Sequence, residues 1–371
     1  MKRLLALTWK EFLQLKRDPI TLRLIVFVPV MQTLMFGYAI NYDVKHLKMV
    51  VYDESKSVES RDLVSKMVAT QYFDVVGQVG SLKALGEEID AARASVGLVI
   101  DRNFGKDFHR GAPAQAFLIV NATDTTTATQ AMAIASGIAS GLSVQALVQR
   151  AGWKWEELPL NLRVRPWYNP DLRTSTFVIP GLIAIILTFT LIQFTASAIV
   201  RERERGTLEQ LQVTPATRTE IILGKIMPFM LIGLVQLTMT ILLMRFLFDI
   251  PIRGSVLELY AVGLIFITAV LGLGMLISTL AATQMQAMQM SAFFLLPFVF
   301  LSGYVFPIDG MPKIFQYISR LIPARYFIDA LRGIILRGAP IRDLWQPIAW
   351  LTFYTIVIIA LAVARFKKTT A

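Results

Sequence analysis

The sequence predicts a polytopic α-helical membrane protein with six transmembrane helices and one inserted extracytoplasmic α/β domain. The first observation behind this prediction is the apolar content. Hydrophobic residues make up 55% of the chain, whereas soluble domains are usually about 45–50% apolar, and the excess is concentrated in long runs. The second is a stretch of about 130 residues after the first run, where strand-like and helical segments alternate as in a small α/β domain.

Residues 1–19 predict an amphipathic helix that lies in the membrane interface. Leu5, Trp9 and Phe12 fall on one helical face, and charged residues occupy the rest. A signal peptide is disfavoured because charges interrupt the apolar stretch and no small-residue cleavage site follows. A soluble packing helix is the weaker alternative, since a membrane span follows at once.

The first span is expected over residues 20–40, with the basic residues before it on the cytoplasmic side. Pro29 lies within this span and removes one backbone donor. A helix can tolerate such a proline if a neighbouring helix satisfies the carbonyl that it frees.

Residues 41–173 carry scattered charges and predict the inserted α/β domain. Strands are expected over 49–52, 73–76, 96–100 and 116–120, and helices over 58–70, 82–92 and 125–149. Because the domain follows a span that begins inside, we expect it to lie outside the cytoplasm.

Residues 174–371 predict the remaining five spans, over 176–200, 226–248, 259–282, 287–306 and 347–364. Both termini are then cytoplasmic. The segment 307–343 would lie outside, although the positive-inside rule prefers its six basic residues inside. We expect this segment to form short helices at the outer interface or dipping into it.

No pattern in the sequence predicts an enzyme or a cofactor site. The chain has no cysteine and only two histidines, so we expect neither a thiolate site nor a His-based metal site. No phosphate-binding loop occurs, because residues 105–107 and 224–226 lack both its spacing and its hydroxyl residue. We therefore expect no ATP or Mg²⁺ to bind this chain. The net charge of +11 is better explained by membrane topology than by nucleic-acid binding.

Residues 201–217, between the second and third spans, form the most highly charged stretch of the chain. Gly206 permits a tight reversal of the chain. Thr207 can cap a short helix, and Glu209 lies in its first turn, where a carboxylate is favourable. The stretch predicts a cytoplasmic contact surface, and a solvated loop that merely anchors two spans is an equal alternative. The residues assigned to this contact are Glu202, Glu204, Gly206, Thr207, Glu209, Gln210 and Pro215.

The spans hold few ionisable residues, which disfavours a proton- or sodium-driven transporter. Thr190, Gln193 and Ser197 share one face of the second span. The favoured interpretation is interhelical hydrogen bonding, and the alternative is a translocation path. Together with Phe294 and Phe298 of the fifth span, these residues would line a path for an apolar or amphipathic cargo.

These features together resemble the membrane subunit (permease) of ABC-2 type ABC transporters, over nearly the whole chain. Two sequence motifs make the resemblance specific. The first comprises residues 202–211 with Pro215 and 224–225, and the second comprises residues 301–308 with 311–312 and 323–333. The amphipathic start and the insertion between the first two spans support it. The best match is to the subgroup with a large insertion, often described as multidrug exporters.

The resemblance implies an exporter of the six-span, type V-like class that is driven by a separate cytoplasmic ATPase subunit. That subunit would hold ATP and Mg²⁺, and residues 201–217 would dock in it as a coupling helix. A second permease chain, identical or a sister, would complete the transporter in a bacterial inner membrane, with a periplasmic adaptor as a further candidate partner. The alternative function is a membrane receptor or scaffold with a ligand-sensing α/β domain, but no cytoplasmic signalling domain is evident in the sequence.

Overall fold

The structure is a computed structural model that describes residues 2–39, 46–123, 125–151, 168–169, 173–206 and 217–365. It divides the chain into two compact units. The helical unit comprises Met1–Ile40 and Pro166–Ala371, and the α/β unit comprises Asn41–Arg165.

The elements are numbered in order along the whole chain. The helices are α1 (Lys2–Lys16), α2 (Pro19–Ala39), α3 (Val58–Ala69), α4 (Leu82–Asp90), α5 (Phe104–Arg110), α6 (Thr125–Ala151), α7 (Thr174–Glu204), α8 (Arg218–Phe246), α9 (Val256–Leu280), α10 (Gln284–Leu301), α11 (Lys313–Ser319), α12 (Pro323–Arg332) and α13 (Trp345–Arg365). The strands are β1 (Leu47–Asp53), β2 (Phe73–Gln78), β3 (Val96–Ile100) and β4 (Ala116–Val120).

Six helices in the described part of the chain are long and apolar enough to cross a membrane, which confirms the predicted number of candidate spans. Their apolar ranges are Leu22–Ala39, Thr174–Glu204, Thr219–Phe246, Val256–Leu280, Gln284–Leu301 and Ile341–Arg365. Helix α7 is the central one, because it packs against α2, α8, α9, α10 and α12. Its residues Ile183, Leu187 and Leu191 are fully buried.

The carbonyl freed by Pro29 is satisfied by a neighbouring helix, as predicted. The residue four positions before Pro29 is Ile25, and its oxygen accepts a hydrogen bond from Gln236 Nε2 of α8 at 3.0 Å. The side-chain oxygen of Gln236 in turn accepts from Thr190 Oγ1 of α7 at 2.8 Å. Gln236 and Thr190 are both buried, so one amide joins three spans and leaves neither of its ends unpaired.

The segment 307–343 forms short helices, one of which enters the bundle. Helix α12 packs against α7, α9 and α13, and its Phe327 stacks on Phe266 of α9 at a centroid distance of 4.0 Å. Arg332 donates to the carbonyl oxygens of Gly303 at 3.0 Å and Phe177 at 3.2 Å. Burial disfavours its cation, so the pKa of Arg332 falls to about 10.

These contacts bear on the positive-inside rule, which counts the basic residues of loops that are free in solvent. Arg325 likewise donates to the carbonyl of Gln316 at 3.3 Å, near the end of α11. Cations that donate to backbone carbonyls within the chain do not act as free loop charges. The side of the membrane on which the segment lies stays a prediction.

The α/β unit contains a four-stranded sheet in the order β2-β1-β3-β4. Strand β1 pairs in parallel with β2 and β3, and β4 runs antiparallel to β3. Its core includes Met49, Phe73, Val96 and Ile100. Ser57 caps α3 by accepting from the Ser60 amide, and Ser81 caps α4 in the same way. The predicted alternation of strands and helices is therefore present, and the position of the unit outside the cytoplasm stays a prediction.

Candidate functional site

The structure describes both ends of the charged stretch 201–217. Helix α7 ends at Glu204, and Gly206 adopts a positive φ of 68°, a conformation that favours glycine. Helix α8 begins with a capping box, in which Thr217 and Glu220 satisfy each other's backbone amides. The short helix predicted after Thr207 lies outside the described residues, as do Thr207 itself, Glu209, Gln210 and Pro215.

Four charged side chains meet where the two helices flanking this stretch come together. We call Lys10 and Glu11 of α1, Glu202 of α7 and Lys225 of α8 the ion cluster. Lys10 Nζ lies 3.0 Å from Glu202 Oε1, and Lys225 Nζ lies 3.0 Å from Glu11 Oε1. Lys225 also pairs with Glu202. Glu202 is 8% exposed and Lys225 4% exposed, so each buried charge has partners of opposite sign.

A glycine allows α1 to reach this position. A Cβ on Gly224 would lie 2.9 Å from Leu7 Cβ and 3.7 Å from the Thr8 nitrogen, so the α1 backbone packs directly on α8. This contact brings Glu11 within reach of Lys225. Although burial lowers the pKa of Lys10, the carboxylates of Glu11 and Glu202 outweigh it and raise the pKa above the ordinary value.

The other face of α1 is exposed and apolar. Leu5 and Trp9 are 65% and 64% exposed, and Phe12 is 38% exposed. One face of α1 therefore joins the ion cluster, and the opposite face has the composition expected of a helix in a membrane interface.

The end of α7 is also tied to the turn between α9 and α10. Glu204 Oε1 accepts from the Gln284 backbone nitrogen at 2.9 Å, and Arg203 Nη1 donates to the Ala281 carbonyl at 2.8 Å. Arg201 Nε donates to Gln284 Oε1 at 3.3 Å. Glu204 thus helps to cap the N-terminus of α10.

Sequence reasoning assigned Glu202 and Glu204 to an external contact, and the structure places both carboxylates in bonds within the chain. Their role in docking a partner stays a prediction. The sequence analysis identified neither Lys10 and Lys225 as partners of Glu202 nor Glu11 as the second partner of Lys225. The available signal was the lysine at the start of an apolar span, where an unpaired charge would be costly.

The polar residues of the predicted path lie in different surroundings. Thr190 is engaged with Gln236, which confirms interhelical hydrogen bonding at that position. Ser197 is buried, and its hydroxyl has no hydrogen-bond partner among the described residues. Phe298 is 5% exposed within the bundle core, whereas Gln193 and Phe294 are more accessible. Whether these residues line a translocation path stays a prediction.

The described part of the chain contains no group of side chains that could bind a metal ion. There, no three His, Asp or Glu side chains lie close enough together to hold a metal ion.

The family model and the known proteins that this chain resembles agree with one another. The family model described as ABC-2 family transporter protein matches residues 20–364. The probable multidrug ABC transporter permease YbhS of Escherichia coli is 33% identical over 343 residues, which is 91% of this chain and 89% of YbhS. The corresponding permease YbhR is 30% identical over 368 residues, 99% of this chain and 98% of YbhR. The inner membrane transport permease YhhJ is 31% identical over 285 residues, 76% of this chain and 75% of YhhJ.

The matched region covers the six candidate spans to within one residue, and the relatives are named as permeases rather than ATPases. The chain is thus a multi-pass membrane protein, and it belongs to the ABC-2 family of transporter proteins.

Proposed function

We propose that the chain is the membrane-spanning permease subunit of an ATP-driven exporter that moves an apolar or amphipathic cargo, drug-like or lipid-like, outward. The ion cluster is the observation that carries this proposal. It bonds the two helices that flank residues 201–217 to each other and to α1. A force applied to this stretch reaches α7, which packs against five other helices of the bundle.

The energy comes from a separate cytoplasmic ATPase subunit, which binds ATP and Mg²⁺. Residues 201–217 dock in this subunit, with Glu209 and Gln210 at the contact and Gly206 turning the chain beneath α7. The names of the relatives support the assignment as a permease and a multidrug-type cargo. The name of YhhJ supports an inner membrane. An even number of spans puts both termini on one side, and the basic residues before the first span support the cytoplasmic side.

Transport proceeds by alternating access between two permease chains, identical or sister. Closure of the ATPase pair pushes on both coupling stretches, and a path beside α7 and α10 opens outward. The α/β unit follows the first span and therefore lies on the outer side, where it gates the exit or meets a periplasmic adaptor.

Charge reversal at Glu209 tests the proposal. Affinity purification of the full chain from its own membrane should recover an ATPase subunit, and Glu209→Lys should lower that recovery about tenfold or more, because like charges facing each other cost several kcal/mol. The control is Glu87→Lys, the same change at an exposed carboxylate of the α/β unit. Failure to recover any ATPase, together with unchanged transport in Glu209→Lys, would overturn the proposal.

A further inference from the structure

A groove of about 370 Å³ lies between α2 and α8, away from the ion cluster. Val30 forms the α2 wall. The α8 wall consists of five side chains on one helical face, at spacings of three and four residues: Met239, Leu242, Leu243, Phe246 and Leu247. All six lining side chains are apolar.

The groove is open to its surroundings rather than closed by the protein. Leu242 is 48% exposed and Phe246 is 82% exposed. Both walls belong to helices that can span a membrane, so the groove opens into hydrocarbon. Water would find no hydrogen-bonding partner among these side chains, which makes an apolar occupant favourable.

The volume of the groove suits a flexible hydrocarbon chain. At about 30 Å³ for a group the size of a water molecule, the groove holds on the order of ten such groups. Because the groove is open on one side, a helix of a second chain is the alternative occupant, and the cross-linking described below distinguishes the two.

A cation follows the α8 wall of the groove. Arg245 does not line the groove, but it is three residues after the lining residue Leu242 and therefore next to it on the helix surface. Its side chain is 48% exposed, and Asp249 Oδ1 is 3.6 Å from its Nη1. That separation is longer than a hydrogen bond, so the guanidinium keeps donors for another anion. Arg245 is about 30 Å along α8 from Lys225 of the ion cluster, a distance close to the thickness of the hydrocarbon layer. A position of Lys225 at one boundary of the hydrocarbon layer therefore puts Arg245 near the phosphates of the opposite leaflet.

We propose that this groove binds one acyl chain of a membrane phospholipid, with the phosphate beside Arg245. The hydrocarbon packs along α8 and against Val30, and the charge of Arg245 fixes the register of the lipid. This site is separate from the coupling stretch and from α10, and it does not depend on the proposed direction of transport.

Photolabelling tests the proposal on the full chain in vesicles of phosphatidylethanolamine and phosphatidylglycerol. The probe is a phospholipid with a diazirine on its acyl chain, and mass spectrometry locates the label. Residues 239–247 should be labelled more strongly than residues 231–235. Leu243→Trp and Val30→Phe fill the groove from opposite walls, and each should lower labelling about fivefold because occupied space cannot accept the chain.

The matched control is Leu231→Trp, the same type of change at an exposed position of α8 outside the groove, which should leave labelling unchanged. Arg245→Gln should weaken labelling by the phospholipid probe and not by an uncharged diacylglycerol probe. Even labelling along all exposed positions of α8, or no change in both filling variants, would overturn the proposal.

A protein occupant would also overturn it. Since the chain contains no cysteine, Phe246→Cys supplies a single thiol. Efficient cross-linking of this thiol to a second copy by a short bis-maleimide would show that a protein surface, not lipid, covers the groove. We expect only background cross-linking.

Discussion

Glu202 and Lys225 are charged side chains at positions where this bundle otherwise buries aliphatic ones. Removal of a charge from water costs several kcal/mol, and the pair is tolerated because Lys10 and Glu11 complete a balanced set. A buried ion pair adds little net stability. It does fix the relative positions of the helices that carry it, because each charge requires its partner. The cluster therefore specifies where α1, α7 and α8 meet.

Loss of one charge from the ion cluster should be costly. Glu202→Gln leaves Lys225 with one carboxylate partner in a buried site, and we expect a loss of about 3 kcal/mol in the free energy of unfolding. Denaturant titration of the purified chain in detergent measures this. The double variant Glu202→Leu with Lys225→Met should recover most of the loss, since both charges are gone. A single-variant loss no larger than that of Glu87→Gln, at an exposed carboxylate, would contradict the prediction.

The bond from Gln236 to the Ile25 carbonyl makes a second residue-level prediction. Gln236→Leu should destabilise the chain by about 1–3 kcal/mol, because a buried carbonyl loses its donor. Adding Pro29→Ala should restore part of that loss, since the alanine supplies the helical N–H that proline lacks. The two changes form a double-mutant cycle in the same titration. If Pro29→Ala changes the free energy of unfolding equally with and without Gln236→Leu, Gln236 does not serve the carbonyl that Pro29 frees.

At the scale of elements, α1 is held by close backbone packing as well as by charge. Gly224 is the position where α8 accepts α1, and the ion cluster lies next to it. The charged and apolar faces of α1 are thereby set, one toward the bundle and one outward. The charged stretch 201–217 thus lies between α7 and α8, and the ion cluster bonds both of these helices to α1.

Substitution of Gly224 should loosen α1. Alanine at an ordinary helix position usually stabilises by up to about 1 kcal/mol relative to glycine. Gly224→Ala should do the opposite, because its Cβ meets Leu7 at 2.9 Å. We expect faster amide hydrogen exchange throughout α1. Gly137→Ala is the control, because a Cβ there meets nothing within 4 Å, and it should leave α1 exchange unchanged.

The start of α3 should respond to pH through Glu59. Its own backbone amide, and then His109 of α5 at 2.6 Å, hold the pKa of Glu59 below its ordinary value of 4.5. The stabilisation of the α3 start is therefore present above pH 4.5 and is lost as the pH falls through the folded pKa. Amide exchange at the start of α3 should be faster in Glu59→Gln than in the parent at about pH 7. The difference should vanish well below pH 4.5, and persistence there would refute it.

For the molecule as a whole, the question is which residues face which side of the membrane. A plain count of basic residues disfavours an outer position for segment 307–343, but Arg325 and Arg332 bond to carbonyls inside the protein. These bonds account for two of the six basic residues of the segment, and the position of both termini inside stays a prediction.

Single cysteines test this topology, because the chain has none of its own. Lys83→Cys in the α/β unit should react with a membrane-impermeant maleimide added to intact cells. Met285, in the first turn of α10, is 65% exposed, and Met285→Cys should react only after permeabilisation. The reverse pattern, or equal reactivity of both, would show that the proposed orientation is wrong.

The strands and most helices of this protein follow from local patterns. The strand predicted over 96–100 has the observed bounds, and that over 49–52 lies inside β1, because alternation and β-branched residues act within a few positions. The candidate spans also follow from local hydropathy, since burial of an apolar run in lipid depends on length and composition alone.

The sequence by itself therefore determined the number of candidate spans, the strand–helix alternation of the inserted unit and the family to which the chain belongs. Only the tertiary structure decided that Glu202 is buried against Lys10 and Lys225, that Gln236 serves the carbonyl freed by Pro29, and that α2 and α8 leave an apolar groove. The physical reason is separation along the chain. Lys225 and Glu11 are 214 residues apart, and no local period records which distant side chains will meet when helices pack.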